Sequence, residues 1–214
     1  MIMNSEDRTR ALINLAEEMY DIVKDLPTAF TGGIALAYLE YKKQKKVKRS
    51  PGDMDIVTLQ GYLPIVRERL IKKYQREILR IEGERRDDIS RIFLWSPYNV
   101  EVELFDTLFF NSIEVGKIRI IDLNQILALK LYGYLHAKRE KDLIDIYRLI
   151  LLDAVDPKDL VSMIKNDPIF QLYSPTNIIE ELYEKTDAFQ LFDNSEKEKI
   201  KEIFDIMKTK LKGK

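Results

Sequence analysis

Asp53-Met54-Asp55-Ile56-Val57-Thr58-Leu59 is the stretch on which the reading of the fold turns. It alternates acids with apolar residues and then runs into β-formers, which predicts a strand. On a strand, residues i and i+2 point to one face, about 6.5–7 Å apart. Two carboxylates so placed repel each other, and the cheapest remedies are full solvation or a shared divalent cation. Ile56 and Val57 carry the strand into a core, so the acids stand at its outer end. A carboxylate pair there suits Mg²⁺, a hard cation that keeps waters and substrate phosphates as its other ligands.

Upstream, Ala29-Phe30-Thr31 is a short strand running into Gly32-Gly33, and Ile34 to about Lys43 is helical. Glycines at a strand–helix junction let the backbone approach a phosphate, and the helix N-terminus offers unbonded N–H groups. Alone, such a pair is more often a tight turn, and an Asp-x-Asp alone is more often a solvated strand end. Their order and spacing together carry the weight. Ser5 to about Lys24 is an amphipathic helix closed by Pro27, with Leu12, Leu15, Ala16, Met19, Ile22 and Val23 at helical spacing. Ser50-Pro51-Gly52 is the turn before the Asp53 strand.

Downstream, Leu63 to about Tyr74 is a helix, and strands are expected at Glu77–Ile81, Ser90–Trp95, Val100–Phe105 and Ile113–Ile121. In Val100-Glu101-Val102-Glu103-Leu104-Phe105, alternation sets Glu101 and Glu103 on one face. Either glutamate, brought beside the aspartates, completes a two-metal clamp for phosphoryl or nucleotidyl transfer. From Leu123 onward the pattern is helical, over Leu123–Ala137, Lys141–Leu152, Pro157–Lys165, Asn177–Glu184 and Ser195–Leu211. The expected architecture is therefore α/β (α+β). A mixed sheet with flanking helices over residues 1–122 is followed by a C-terminal helical bundle over 123–214, which closes one wall of the active cleft.

Composition narrows the chemistry. With 214 residues and 45% apolar content there is enough material for a real core. The net charge of −1 advertises no global field for nucleic acid or membrane. There is no cysteine and one histidine, which excludes thiolate and His-rich metal sites and cysteine nucleophiles. The first residues lack a signal-peptide pattern and no apolar run is long enough for a membrane helix, so a cytoplasmic protein with no membrane partner is expected.

Thr31-Gly32-Gly33-Ile34-Ala35-Leu36, then Arg49 and Asp53-Met54-Asp55-Ile56, resembles the "G-G-x-x-L … R-x-x-x-D-h-D" signature of polymerase-β-like minimal nucleotidyltransferases. It is most similar to the AbiEii branch, which includes toxins of toxin–antitoxin pairs. Val102-Glu103-Leu104-Phe105-Asp106 is similar to the third metal-ligand strand of that family. Leu127-Ala128-Leu129-Lys130-Leu131, with Arg139 and Lys141-Asp142-Leu143-Ile144-Asp145, is similar to its "h-h-x-K-L … R-x-x-K-D-h-x-D" segment. The resemblance covers about residues 28–150. It implies Mg²⁺ (or Mn²⁺), a nucleoside triphosphate donor, and transfer of a nucleoside monophosphate to an acceptor hydroxyl on RNA or protein. An antitoxin partner and a small-molecule acceptor of the antibiotic type are further implications.

Carried over residue by residue, Gly32, Gly33 and Arg49 would hold the nucleotide, and Asp53, Asp55 and Glu103 the metal. Lys130 would reach the triphosphate and Asp142 would position it or accept a proton. Two departures stand out. The third ligand position usually carries Asp, so Glu101 and Asp106 stay open beside Glu103. The hydroxyl usual two residues before the first Asp is replaced by Pro51.

Other features have plainer readings. The basic run Lys42–Arg49 is a grip on a nucleic-acid backbone or, more simply, a solvated loop. Glu84-Arg85-Arg86-Asp87-Asp88 reads as a hairpin turn. His136 and the tyrosines 132, 134 and 147 read as helix packing. Lys130, flanked by apolar residues, must reach solvent or meet an anion, and Asp142 and Asp145 can pair with Arg139 or Arg148.

Overall fold

The computed structural model describes residues 5–44, 46–83, 89–95, 97–170 and 172–212. The expected turn at Glu84–Asp88 and Lys45 of the basic run lie outside the described residues. The chain divides into two compact units, Met1–Asp122 and Leu123–Lys214.

The first unit runs α1 (Ser5–Val23), β1 (Thr28–Thr31), α2 (Gly32–Gln44), β2 (Asp53–Leu59), α3 (Leu63–Tyr74), β3 (Ile78–Glu82), β4 (Ile89–Leu94), β5 (Val100–Thr107), β6 (Ser112–Val115) and β7 (Ile118–Ile121). Among the described residues the strands form one mixed sheet of seven, in the order β3-β4-β5-β2-β1-β7-β6. β2 is antiparallel to β1 and parallel to β5, so the sheet changes direction at the strand that carries the aspartates. Alternation divides the faces along β5 and the first half of β2. Phe30, Met54, Ile56, Ile92, Val102, Leu104 and Ile120 are buried on one face. α1 packs against α2 and α3, α2 lies on β1 and β2, and α3 on β4 and β5. α2 buries every residue from Gly33 to Glu40, as an apolar helix with no polar stripe must.

One expectation fails in detail. Ile113–Ile121 is not one strand but the hairpin β6–β7, turned at Gly116-Lys117. Gly116 has φ +58°, the left-handed conformation a two-residue hairpin turn requires. The turn is pinned from below by a polar knot. Glu17 of α1 accepts from Tyr38 Oη at 2.7 Å and Lys42 Nζ at 2.9 Å, and pairs with Lys117 Nζ at 3.0 Å.

The second unit contains α4 (Leu123–Ala137), α5 (Glu140–Leu151), α6 (Pro157–Asn166), α7 (Pro175–Glu184) and α8 (Asn194–Lys212), with short 3-10 turns at Pro168–Phe170 and Lys185–Ala188. Sequence-local chemistry sets several boundaries. Asp156 caps α6 by accepting from the Lys158 N–H at 2.7 Å, with Pro157 in the first turn. Asp193 and Glu196 form a reciprocal capping box at the start of α8. Tyr147 is fully buried, ringed edge-on by Phe189, Phe192 and Phe204 at 5.8–6.1 Å, and donates to the Leu182 carbonyl at 2.6 Å.

Candidate functional site

β2 and β5 are register partners, Asp53 opposite Glu101 and Asp55 opposite Glu103. Residues paired across adjacent strands project to the same face, and neighbouring strands lie about 4.8 Å apart. The four carboxylates therefore share one face, opposite the buried Met54, Ile56, Val102 and Leu104. Asp106 pairs with Thr58, which puts it on the other face and removes it from the group.

Thr31 is opposite Asp55 across the antiparallel β1–β2 pair, so it points to the acid face as well. Its hydroxyl is buried and, among the described residues, has no hydrogen-bond partner. The next residue, Gly32, turns the chain from β1 into α2 with φ +63°. A Cβ there would overlap Oδ2 of Asp55 and stand 2.9 Å from its Cγ. The Asp55 carboxylate thus lies directly on the glycine backbone, in space only glycine leaves open. At Gly33 an added Cβ would find Arg49 Nη2 at 3.8 Å and Pro51 Cβ at 3.7 Å. That sets a guanidinium beside the first turn of α2, where backbone N–H groups lack intrahelical acceptors. Arg8 of α1 holds the incoming loop, donating to the Pro51 carbonyl at 3.0 Å.

The glutamates are engaged elsewhere. Arg91 on β4 is the antiparallel partner of Glu103. Its Nη2 is 3.1 Å from Glu103 Oε1 and its Nε 3.1 Å from Glu101 Oε1. The hydrogen bond with Glu103 raises the guanidinium pKa further above its usual value. Among the described residues no three acids converge closely enough to hold a metal ion as they stand. The donor chemistry nevertheless fits Mg²⁺ or Mn²⁺: hard carboxylate oxygens on one face, beside a glycine cradle and an unpartnered buried hydroxyl.

Lys130 and Asp142 lie in the second unit, within an ionic cluster of α4 and α5. Lys130 Nζ is 3.2 Å from Asp142 Oδ1 and 2.8 Å from Asp145 Oδ2. Arg148 Nη1 reaches Asp145 at 2.6 Å, and Arg139 Nε stands 2.6 Å from Asp142 Oδ2 without the alignment of a hydrogen bond. Asp142, Asp145 and Arg148 are all buried. The anion that an apolar-flanked lysine requires is thus supplied by the helix partner. Gly133 is fixed by the same cluster, since a Cβ there would strike Arg139 and Asp142.

Features outside these two groups take plain roles. In the basic run, Lys42 is bound to Glu17, and the Lys48 N–H donates to the buried Glu40 at 3.0 Å. A hollow of about 460 Å³ lined by Arg10, Tyr41 and Lys46 lies toward the end of α2 away from Gly32. His136 packs on Tyr132 and Tyr173. No helix among the described residues is long and apolar enough to cross a membrane. Sequence reasoning missed Arg91 and Thr31. Alternation along β4 puts Arg91 and Phe93 on one face, but the register that sets Arg91 beside Glu103 has no local signal.

No protein-family model matches the chain, and no curated protein sequence matches it. Solved structures do. An antigenic nucleotidyltransferase-like protein from Paracoccidioides brasiliensis aligns with TM-score 0.53 at 17% identity, over 85% of this chain and 92% of that one. JHP933 from Helicobacter pylori aligns with TM-score 0.59 at 15% identity, over 94% and 93%. A candidate nucleotidyltransferase from H. pylori gives TM-score 0.59 at 15% identity, over 98% and 96%. The mixed sheet with flanking helices and the helices that follow it therefore have the fold of nucleotidyltransferase-like proteins.

Proposed function

We propose that this chain is a metal-dependent nucleotidyltransferase, moving a nucleoside monophosphate from a nucleoside triphosphate to an acceptor hydroxyl with release of pyrophosphate. One observation carries the reading: Asp53, Asp55 and Glu103 share a sheet face beside a left-handed Gly32 that accommodates the Asp55 carboxylate. In this reading Asp53, Asp55 and Glu103 hold Mg²⁺ or Mn²⁺. Such an ion, when bound, polarises phosphoryl oxygens and favours the ionised form of an attacking hydroxyl. The Gly32-Gly33 turn, the first amides of α2 and the Arg49 guanidinium bind phosphate oxygens. Lys130 and Asp142 take the roles the family resemblance gives them, contact with the triphosphate and positioning of that lysine. The acceptor is an RNA 3′ end or a protein side chain. The AbiEii resemblance makes the toxin of a toxin–antitoxin pair, with an antitoxin as partner, the biological setting.

A second reading, a nucleotide-binding module without turnover, is favoured by Arg91, which occupies both glutamates. One experiment separates the two. The purified chain is incubated with four labelled nucleoside triphosphates, Mg²⁺ or Mn²⁺, and a lysate supplying RNA, protein and small molecules, and the products are analysed by mass spectrometry. An Asp53→Asn, Asp55→Asn double variant is the control. Transfer with pyrophosphate release by the wild type alone is expected. The mass of the product distinguishes a macromolecular acceptor from an antibiotic-type one. Identical products from both proteins would remove the site assignment, and nucleotide binding without pyrophosphate would favour the module.

A further inference from the structure

Arg91 is a cation that the proposed reaction leaves without a task. It stands on β4, outside the two strands that carry the candidate ligands, yet its guanidinium meets two carboxylates through two nitrogens, Nε to Glu101 and Nη2 to Glu103. Glu103 has a register neighbour on each side, Asp55 on β2 and Arg91 on β4, and it is turned to Arg91. One glutamate suffices to neutralise one arginine, so the second is in surplus. The side chains of Arg91, Glu101 and Glu103 are 44%, 36% and 28% exposed. Ion pairs of that exposure are screened and individually weak, within reach of a divalent cation that competes for one of the carboxylates.

Building on the proposed metal site, we infer that Arg91 is a positioning residue that holds Glu103 off the aspartate couple. A divalent cation on Asp53 and Asp55 draws Glu103 across, while Arg91 keeps Glu101. The exchange never leaves the guanidinium without a counter-charge, which explains why β5 presents two glutamates to one arginine. Metal affinity then includes the cost of breaking one Arg91–Glu103 bridge.

The test is a Mn²⁺ titration, read by electron paramagnetic resonance of the free ion, on the wild type, Arg91→Met, Glu103→Gln and the double variant. Methionine keeps an unbranched stem on the strand, and thermal melts verify folding. Arg91→Met is expected to tighten Mn²⁺ binding about two- to fivefold, the range an exposed ion pair represents. That gain is expected to vanish in the Glu103→Gln background, because the coupling runs through Glu103. An equal gain in both backgrounds would make Arg91 only a diffuse positive charge and overturn the inference, and so would no gain at all. The Asp53→Asn, Asp55→Asn protein separates the two levels. If its Mn²⁺ affinity equals that of the wild type, the metal site falls and the role of Arg91 with it. If it loses Mn²⁺ while the cycle shows no coupling, Arg91 alone is refuted.

Discussion

Substituting Gly32 by alanine strikes the fold and the candidate site at one atom, and a second glycine supplies the internal control. At φ +63° a residue bearing a Cβ costs about 1–2 kcal/mol in backbone strain. The new methyl would also occupy the space of Asp55 Oδ2, so the carboxylate must leave its rotamer at about 0.5–1.5 kcal/mol. The expected loss is the sum, about 1.5–3.5 kcal/mol. Gly61 has φ +90° and nothing within 4 Å of an added Cβ, so Gly61→Ala carries the backbone cost alone, about 1–2 kcal/mol. Urea unfolding measures both, with the midpoint reporting stability while the slope stays constant. Mn²⁺ binding measures what stability does not. Gly32→Ala displaces Asp55 and is expected to lose the ion, whereas Gly61→Ala keeps it. Should Gly32→Ala be no less stable than Gly61→Ala and bind Mn²⁺ like the wild type, the contact between Asp55 and the glycine backbone would be refuted.

Two further substitutions probe the polar knots. Burial raises the Glu17 pKa, but hydrogen bonds from Tyr38, Lys42 and Lys117 more than offset it and bring it from 4.5 to about 2. A depressed carboxylate stabilises the fold above its unfolded pKa and loses that contribution as pH falls from about 4.5 to about 2. With Lys117 74% exposed, the contribution is discounted to about 1–2 kcal/mol, and Glu17→Gln should flatten the acid limb of a stability–pH curve by that amount. An unchanged acid limb would mean the knot does not form. Lys130→Met strips a cation from two buried aspartates, leaving Arg139 beside Asp142 and Arg148 beside Asp145, and should cost about 3 kcal/mol in urea unfolding. A loss below about 0.5 kcal/mol, the level of an exposed pair, would show that the cluster is solvated.

How much of this was legible in the sequence depends on the range of the interaction. The Asp53–Leu59 strand and the Leu63–Tyr74 helix have the limits their own residues dictate, one by period-two alternation and the other by apolar spacing with Pro64 in the first turn. The acids on β2 and the paired glycines were readable because one strand and one junction each hold them together. The β6–β7 turn was missed because Ile113–Val115 and Ile118–Ile121 both carry β-forming residues around Gly116, and a lone glycine in a strand pattern also fits a bulge. Lys130 was half readable: its apolar flanks demanded an anion, but which carboxylate answered depended on how α4 packs on α5. Arg91 was out of reach, since register between β4 and β5 is a tertiary property: a slip of two residues keeps the apolar faces together and gives Arg91 another partner.

The glutamate at position 103, where the resembling family usually carries aspartate, is the departure on which the proposed chemistry would depend. Strand neighbours about 4.8 Å apart on either side give residue 103 two partners of opposite sign, Asp55 and Arg91. An aspartate, on a single methylene, is held close to its own strand and has little freedom between them. The second methylene of glutamate lets one carboxylate turn either toward the guanidinium or toward a cation on the aspartates. In the proposed site the substitution would not remove a ligand so much as make its engagement conditional, with β4 setting the condition. A weak screened bridge is the right magnitude for that purpose, because a buried one would cost several kcal/mol to break and would hold Glu103 on Arg91.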